Sequence, residues 1–230
     1  MQFKMKNQNT VAILKLSYIA LLTALVFVIQ LLGGSIRVGG LFSITLVLLP
    51  IVLGAALVGP LGGAWLGLVF ALAVFYTGDA NAFLAVDPFG TVITVILKGV
   101  LAGLVTGIVY RLCSRLTPYV RALIGAAVCP IVNTGIFLLG CLVFFMPTLA
   151  EWASAFGFSN AGEYMIIGLC GINFIVELVT NILLAPVVVR LIHMLEERTG
   201  LSGSGKRRIS KAPTENEATD ETTKSFDAKG

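Results

Sequence analysis

Long apolar runs, separated by short clusters of glycine, proline and charge, fill most of the chain between residues 11 and 195. A helix needs roughly 20 mostly apolar residues to cross a hydrocarbon core of about 30 Å. The runs at 11–32, 43–58, 60–76, 90–112, 119–145 and 164–195 predict six such helices. The breaks carry recognisable stop and start chemistry. Gly33, Gly34, Gly39 and Gly40 surround Arg37, and Gly59-Pro60 makes a very short turn with proline placed to restart a helix. Asp79, Asn81, Asp87 and Pro88 mark a loop at 77–89, and a longer loop is expected at 146–162. Pro130 lies inside the fifth run and predicts a kink there. The expected fold is all-α: a polytopic membrane bundle of six transmembrane helices.

Composition sharpens this reading. Apolar residues make up 57% of the chain and charged ones 12%, with a mean hydropathy of +0.95, which excludes an ordinary water-soluble domain. The natural division is a short cytoplasmic segment at 1–10, one transmembrane domain at 11–195 and a tail at 196–230 too polar to order itself. No cleavable signal peptide is expected, because the first apolar run is long enough to span and lacks a small-residue cleavage pattern. The net charge of +4 does not indicate a nucleic-acid partner, since the basic residues sit at the ends of apolar runs. Lys4, Lys6, Arg111, Arg115, Arg121, Arg190, Arg198 and Lys206-Arg207-Arg208 fall on one side, and Arg37 alone on the other. Basic residues favour the cytoplasmic side, so both termini are expected there.

Candidate chemistry is concentrated inside the spans. Asn173, Glu177 and Asn181 repeat every four residues and form one polar stripe on the sixth span. An ionisable group at the middle of a span costs about 2.5–3.5 kcal/mol on insertion scales, so Glu177 requires a partner or a watery cavity. Lys98 in the fourth span, on a face with Thr94, Ala102 and Thr106, is the candidate partner. The two charges either pin their helices together, touch a solute, or do both. Asn133, one turn past Pro130, either shapes a pocket or bonds to a neighbouring helix. Arg37 is a ligand candidate in a glycine-flanked loop, with a solvated loop charge as the ordinary alternative. Phe83, Phe89, Trp152, Phe156 and Phe158 suit either stacking on a ring or anchoring at the membrane surface.

Small residues recur every four positions at Ala20 and Ala24, at Gly63 and Gly67, and at Gly99, Gly103 and Gly107. Such ladders let spans approach closely, and the one on the terminal first helix is free to face another protein. The four cysteines form no metal or redox spacing, His193 is the lone histidine, and no catalytic set or resident cofactor is indicated. Gly200 to Lys206 imitates a phosphate loop, but Arg207 stands where serine or threonine is needed and no strand precedes it. The chain is therefore expected neither to hydrolyse ATP nor to act as an enzyme.

The stretch Leu49-Pro50-Ile51-Val52-Leu53-Gly54 through Gly59-Pro60-Leu61-Gly62-Gly63-Ala64-Trp65-Leu66-Gly67 resembles the substrate-binding S components of energy-coupling factor transporters. The likeness extends over roughly residues 15–195 and includes Ala20-x-x-x-Ala24, Lys98-Gly99, Asn133-Thr134 and the Asn173/Glu177/Asn181 stripe. It implies a six-helix subunit of the bacterial plasma membrane that captures a vitamin or metal. Its partners would be a transmembrane T component and two cytoplasmic ATPases. It further implies that Ala20 and Ala24 meet the T component and that the loops around Arg37 and 79–89 cover the pocket. The metal-binding branch carries an early histidine, absent here, so an organic solute is expected; Arg37 and Lys98 would suit a carboxylate such as pantothenate. A non-transporting membrane scaffold and a stand-alone secondary transporter are the other readings.

Overall fold

The computed structural model describes residues 2–33, 37–38, 42–43 and 46–199, with side chains placed for 12–32, 46–171, 173–192 and 194. The Lys206-Arg207-Arg208 cluster, the phosphate-loop imitation and the polar tail from residue 200 lie outside them, as do the side chains of His193 and Arg198. The chain forms α1 (Gln2–Gly33), α2 (Leu48–Leu57), α3 (Pro60–Thr77), α4 (Asn81–Leu84), α5 (Pro88–Leu112), α6 (Pro118–Gly140), α7 (Met146–Ala155), α8 (Ala161–Glu163) and α9 (Ile172–Thr199). Two-residue strands β1 (Arg37–Val38) and β2 (Phe42–Ser43) pair antiparallel, Arg37 opposite Ser43. π-helical segments at Cys141–Phe145 and Tyr164–Gly171 join α6 to α7 and α8 to α9.

Among the described residues five helical stretches are long and apolar enough to cross a membrane: Ala12–Leu32, Pro60–Thr77, Pro88–Arg115, Pro118–Ala155 and Ala161–Ile192. The chain is thus an all-helical, multi-pass membrane protein. The second expected span, 43–58, is only the ten-residue α2. At 1.5 Å per residue α2 rises about 15 Å, half of a hydrocarbon core. Most of it is buried, including Leu48, Ile51, Val52 and Ala55, so its continuous apolar character reflects a core position. The loop expected at 146–162 is also different: the helix runs on through the π-helical segment into α7, whose Leu149 and Ala153 pack inward.

The glycine ladders meet each other. A Cβ on Gly63 would strike the Gly103 carbonyl, and one on Gly67 the Gly99 carbonyl; the reverse collisions hold for Gly99 and Gly103. Gly107 lies likewise against Pro60. α3 and α5 are therefore antiparallel and in backbone contact, which yields dispersion energy that bulkier side chains would forbid. Gly59 begins α3 at φ 105°, a conformation that only glycine adopts readily, and the Arg111 guanidinium covers it.

α1 runs parallel to α3. Ile19 touches the site of Gly62, Trp65 Nε1 donates to Thr23 Oγ1 at 3.1 Å, and the Phe27 and Tyr76 rings are 5.5 Å apart. Farther along, Gln30 Nε2 donates to Asp79 Oδ2 at 2.7 Å. Only one edge of α1 is engaged, and Leu16, Leu21 and Leu32 stay more than 60% exposed to what surrounds the bundle.

Replacing Gly67 with leucine is expected to destabilise the protein by at least about 1–3 kcal/mol, the usual range for an overfilled interior. Gly135→Ala on α6, where an added Cβ meets nothing within 4 Å, should leave the thermal midpoint in detergent unchanged or slightly raised. Equal midpoints for the two variants would remove the α3–α5 crossing as the packing constraint.

Candidate functional site

The α3–α5 contact fixes where Lys98 goes. Because Gly99 is held against Gly67, the neighbouring Lys98 is turned to a different face of α5, toward α6 and the upper part of α3. Its Nζ sits 5.1 Å from the centroid of the Phe137 ring and 5.9 Å from that of Phe70. The negative faces of two rings thus stabilise the ammonium in place of water. Lys98 is partly buried and in electrostatic reach of Glu177, Cys170, Cys141 and Asp79. The expected Lys98–Glu177 pairing is therefore one of proximity: no direct ion pair joins them, and no acceptor bonds the Lys98 ammonium, among the described residues. Three strong donors on one cation face the bundle interior.

The polar stripe on α9 lies as its spacing requires. Asn173 and Glu177 are partly buried and Asn181 is fully buried. Asn181 Nδ2 donates to the Glu177 carbonyl at 2.8 Å, a bond within its own helix that leaves Asn181 Oδ1 buried and unpartnered among the described residues. Among the described residues Asn133 Oδ1 on α6 and the Thr94 hydroxyl on α5 are likewise buried without a hydrogen-bond partner, and the Thr106 hydroxyl, also buried, lies beside the Cys129 thiol. Buried polar atoms nearly always find partners, so a group of such orphans along three facing helices marks a polar interior seam. Glu177 also lies in electrostatic reach of Cys129 on α6. α5, α6 and α9 thus contribute Thr94, Lys98, Thr106, Asn133, Glu177 and Asn181 to one side of the bundle interior.

Aromatic side chains roof this seam. Phe83, on the short α4, packs edge-to-face with Phe137 at 5.6 Å, Phe145 at 5.0 Å and Trp152 at 5.6 Å. Phe137 therefore touches both the Lys98 cation and the roof. Phe156 stacks on Tyr164 at 5.6 Å and Phe158 meets the same ring at 5.2 Å, whereas Phe89 is 71% exposed and stands apart from the roof. The two π-helical segments lie on either side, and each brings a cysteine, Cys141 or Cys170, into reach of Lys98. Such segments shift helix register by one residue and often mark functional positions.

Among the predicted site residues, Lys98, Asn133, Glu177, Asn173 and Asn181 are placed along facing helices. Arg37 contributes its backbone to β1, and its side chain lies outside the described residues. Ala20 and Ala24 are exposed on α1, away from the seam. Phe70, Phe137 and the Gln30–Asp79 bond were not anticipated from sequence; a buried glutamine in an apolar run was the available signal for the last. An apolar groove of about 210 Å³ opens between α1, α2 and α9, lined by Leu25, Pro50, Leu53 and Val188. Lacking any polar group to orient a hydrophilic solute, it is distinct from the seam.

These features define a class: a polytopic helical membrane protein with a charged, aromatic-roofed site within its bundle. The family model for the ECF transporter substrate-specific component matches residues 14–192, and the chain belongs to that family. It is the substrate-binding membrane subunit of an ECF transporter and not an enzyme. Comparison with curated proteins and with solved structures returns no match.

Asn133→Leu should change stability by less than about 1 kcal/mol, because its orphaned oxygen makes no bond among the described residues, and Asn181→Leu, which also removes the bond to the Glu177 carbonyl within its own helix, should cost no more than about 1.5 kcal/mol. Gln30→Leu, which breaks a bond to a carboxylate, should cost about 1 kcal/mol or more. Thermal midpoints in one detergent check both; a large loss at Asn133 or Asn181 would show that these amides hold helices together.

Proposed function

We propose that this subunit captures a water-soluble, carboxylate-bearing organic solute of the vitamin class, pantothenate being one example, and presents it for import. The observation that carries this reading is the Lys98 ammonium, held between Phe70 and Phe137 with no acceptor bonded among the described residues. A carboxylate delivered there would gain a charge-assisted hydrogen bond in a low-dielectric interior. Asn133, Asn173, Glu177 and Asn181 would read the rest of the solute, while Phe83 and Trp152 close over it. Arg37, in the connection between α1 and α2, belongs to the same proposal as a second anion contact.

The working arrangement has six crossings with both termini in the cytoplasm of a bacterial cell. Three observations support it. α1 and α3 run parallel, so the chain must return across the bundle between residues 34 and 59. α2 supplies the buried half of that return. The end bearing Arg111, Arg115 and Arg121 is the one where α1 and α3 begin, and basic residues favour the cytoplasmic face. Domain limits of 1–10, 11–195 and 196–230 follow from this arrangement.

The T component is proposed to dock on Ala20 and Ala24, with two cytoplasmic ATPases below it. Exposed small residues on a helix engaged along one edge suit close approach by a partner helix. Family membership favours this transport role over a scaffold or a stand-alone carrier.

Equilibrium binding of purified, detergent-solubilised protein to a panel of vitamins and precursors tests the capture role. One saturable ligand is expected, and Lys98→Gln should weaken it at least about tenfold, equivalent to roughly 1.4 kcal/mol. A folded protein that binds nothing on the panel would sink the proposed solute class. Ala20→Leu with Ala24→Leu should abolish co-purification of the T component and leave solute binding intact; retained co-purification would place the docking face elsewhere.

A further inference from the structure

At the end of the bundle remote from the aromatic roof, three arginines surround the turn between α5 and α6. Arg111 closes α5 with its guanidinium packed on Gly59, at the start of α3. Arg115 ends the short 3-10 turn Cys113–Arg115 and is exposed. Arg121, in the first turn of α6, lays its guanidinium 4.2 Å from the centroid of the Tyr110 ring, and its Nε is buried without a hydrogen-bond partner among the described residues. No acidic side chain among those placed in the described residues answers them. Asp79 and Asp87 precede α5 at the opposite end, Glu151 and Glu163 lie on α7 and α8 there, Glu177 belongs to the interior seam, and the side chains of Glu196 and Glu197 at the end of α9 lie outside the described residues.

The surface beside these cations is apolar rather than polar. Leu112 is 76% exposed, Leu116 45% and Tyr119 57%. Arginines with exposed leucines next to them, and a tyrosine at the same level, reproduce the chemistry of the membrane interface. Two of the guanidiniums are already fixed, one by a ring and one by a glycine turn, so little side-chain freedom remains to be lost when a phosphate arrives. A guanidinium also presents paired donors that match phosphate oxygens.

We propose that the α5–α6 turn is a binding site for an anionic phospholipid, whose phosphate is met by Arg111, Arg115 and Arg121 and whose acyl chains lie on Leu112, Leu116 and Tyr119. Such a lipid would bridge α3, α5 and α6 at the end of the crossing that positions Lys98. This site is separate from solute capture and does not depend on that reading.

The test is titration of the full-length, detergent-solubilised protein with short-chain phosphatidylglycerol, phosphatidylcholine of the same chain length, or inorganic phosphate, reading the thermal midpoint. Phosphatidylglycerol alone should raise it saturably. The triple variant R111Q/R115Q/R121Q should need on the order of tenfold more of that lipid or more. K4Q/K6Q/R190Q, which removes as many positive charges elsewhere, should respond like the unmodified protein. An equal response to phosphatidylcholine, or to inorganic phosphate, overturns the assignment, as does an equal loss in the K4Q/K6Q/R190Q control. Arg115 is exposed and its side chain makes no hydrogen bond or ion pair among the described residues, so R115Q alone keeps the test open if the triple variant fails to fold. An unshifted phosphatidylglycerol titration for R115Q also counts against the site.

Discussion

The backbone contact between α3 and α5 is the constraint on which the other placements rest. Lipid offers no hydrophobic contrast to drive helices together, so their association depends on close dispersion contact and on polar groups that find each other. Gly63 and Gly67 against Gly99 and Gly103 provide the closest contact possible, carbonyl to Cα, and α3 with α5 forms the most extensive helix pair described. That contact determines the rotation of α5. With the glycine edge committed to α3, Thr94, Lys98, Ala102 and Thr106 turn toward the remaining helices, and all but Lys98 are fully buried. A rigid glycine edge on one side and a polar edge on the other are two consequences of a single helical phase.

The site inherits its character from this geometry. Charge within a membrane bundle is tolerated where rings, amides or another charge replace water. Lys98 has rings on two sides and Glu177 across the seam, while the amides of Asn133 and Asn181 keep acceptors free on neighbouring helices. The roof over the seam is built from Phe83 of a four-residue helix and from the continuation of α6 into α7, which pack as a cluster of their own, while Leu84 of the same short helix joins the main apolar core. Two clusters result, one stabilising the bundle and one covering the seam.

Much of this was legible in the order of residues. Apolar run length located the long helices, four-residue spacing identified both glycine ladders, and the same spacing aligned Glu177 with Asn181. The departures have physical origins. The second run is apolar throughout because a short, mostly buried helix needs no polar face, and hydropathy does not distinguish protein from lipid as the surroundings, so the ten-residue length of α2 was not legible. The segment at 146–162 reads as a loop because Pro147, Glu151 and Ser159 dilute its apolar character, although Leu149 and Ala153 still repeat at four residues. The aromatic partners of Lys98 were hidden for another reason. Phe70 and Phe137 lie far from it in sequence, and the π-helical segment after Gly140 shifts the register that would have aligned the roof with α6.

The position of Lys98 between two rings also bears on how the protein is made. Chains emerge from their N-terminus, so α5 reaches the bilayer before α6 and α9. At that moment neither Phe137 nor Glu177 is yet in place, and of the two rings described beside the ammonium only Phe70 on α3 has preceded it. The glycine-packed α3–α5 hairpin is thus a nascent shelter for the charge, and Glu177, nearly eighty residues later (177 minus 98), arrives at a cation already housed.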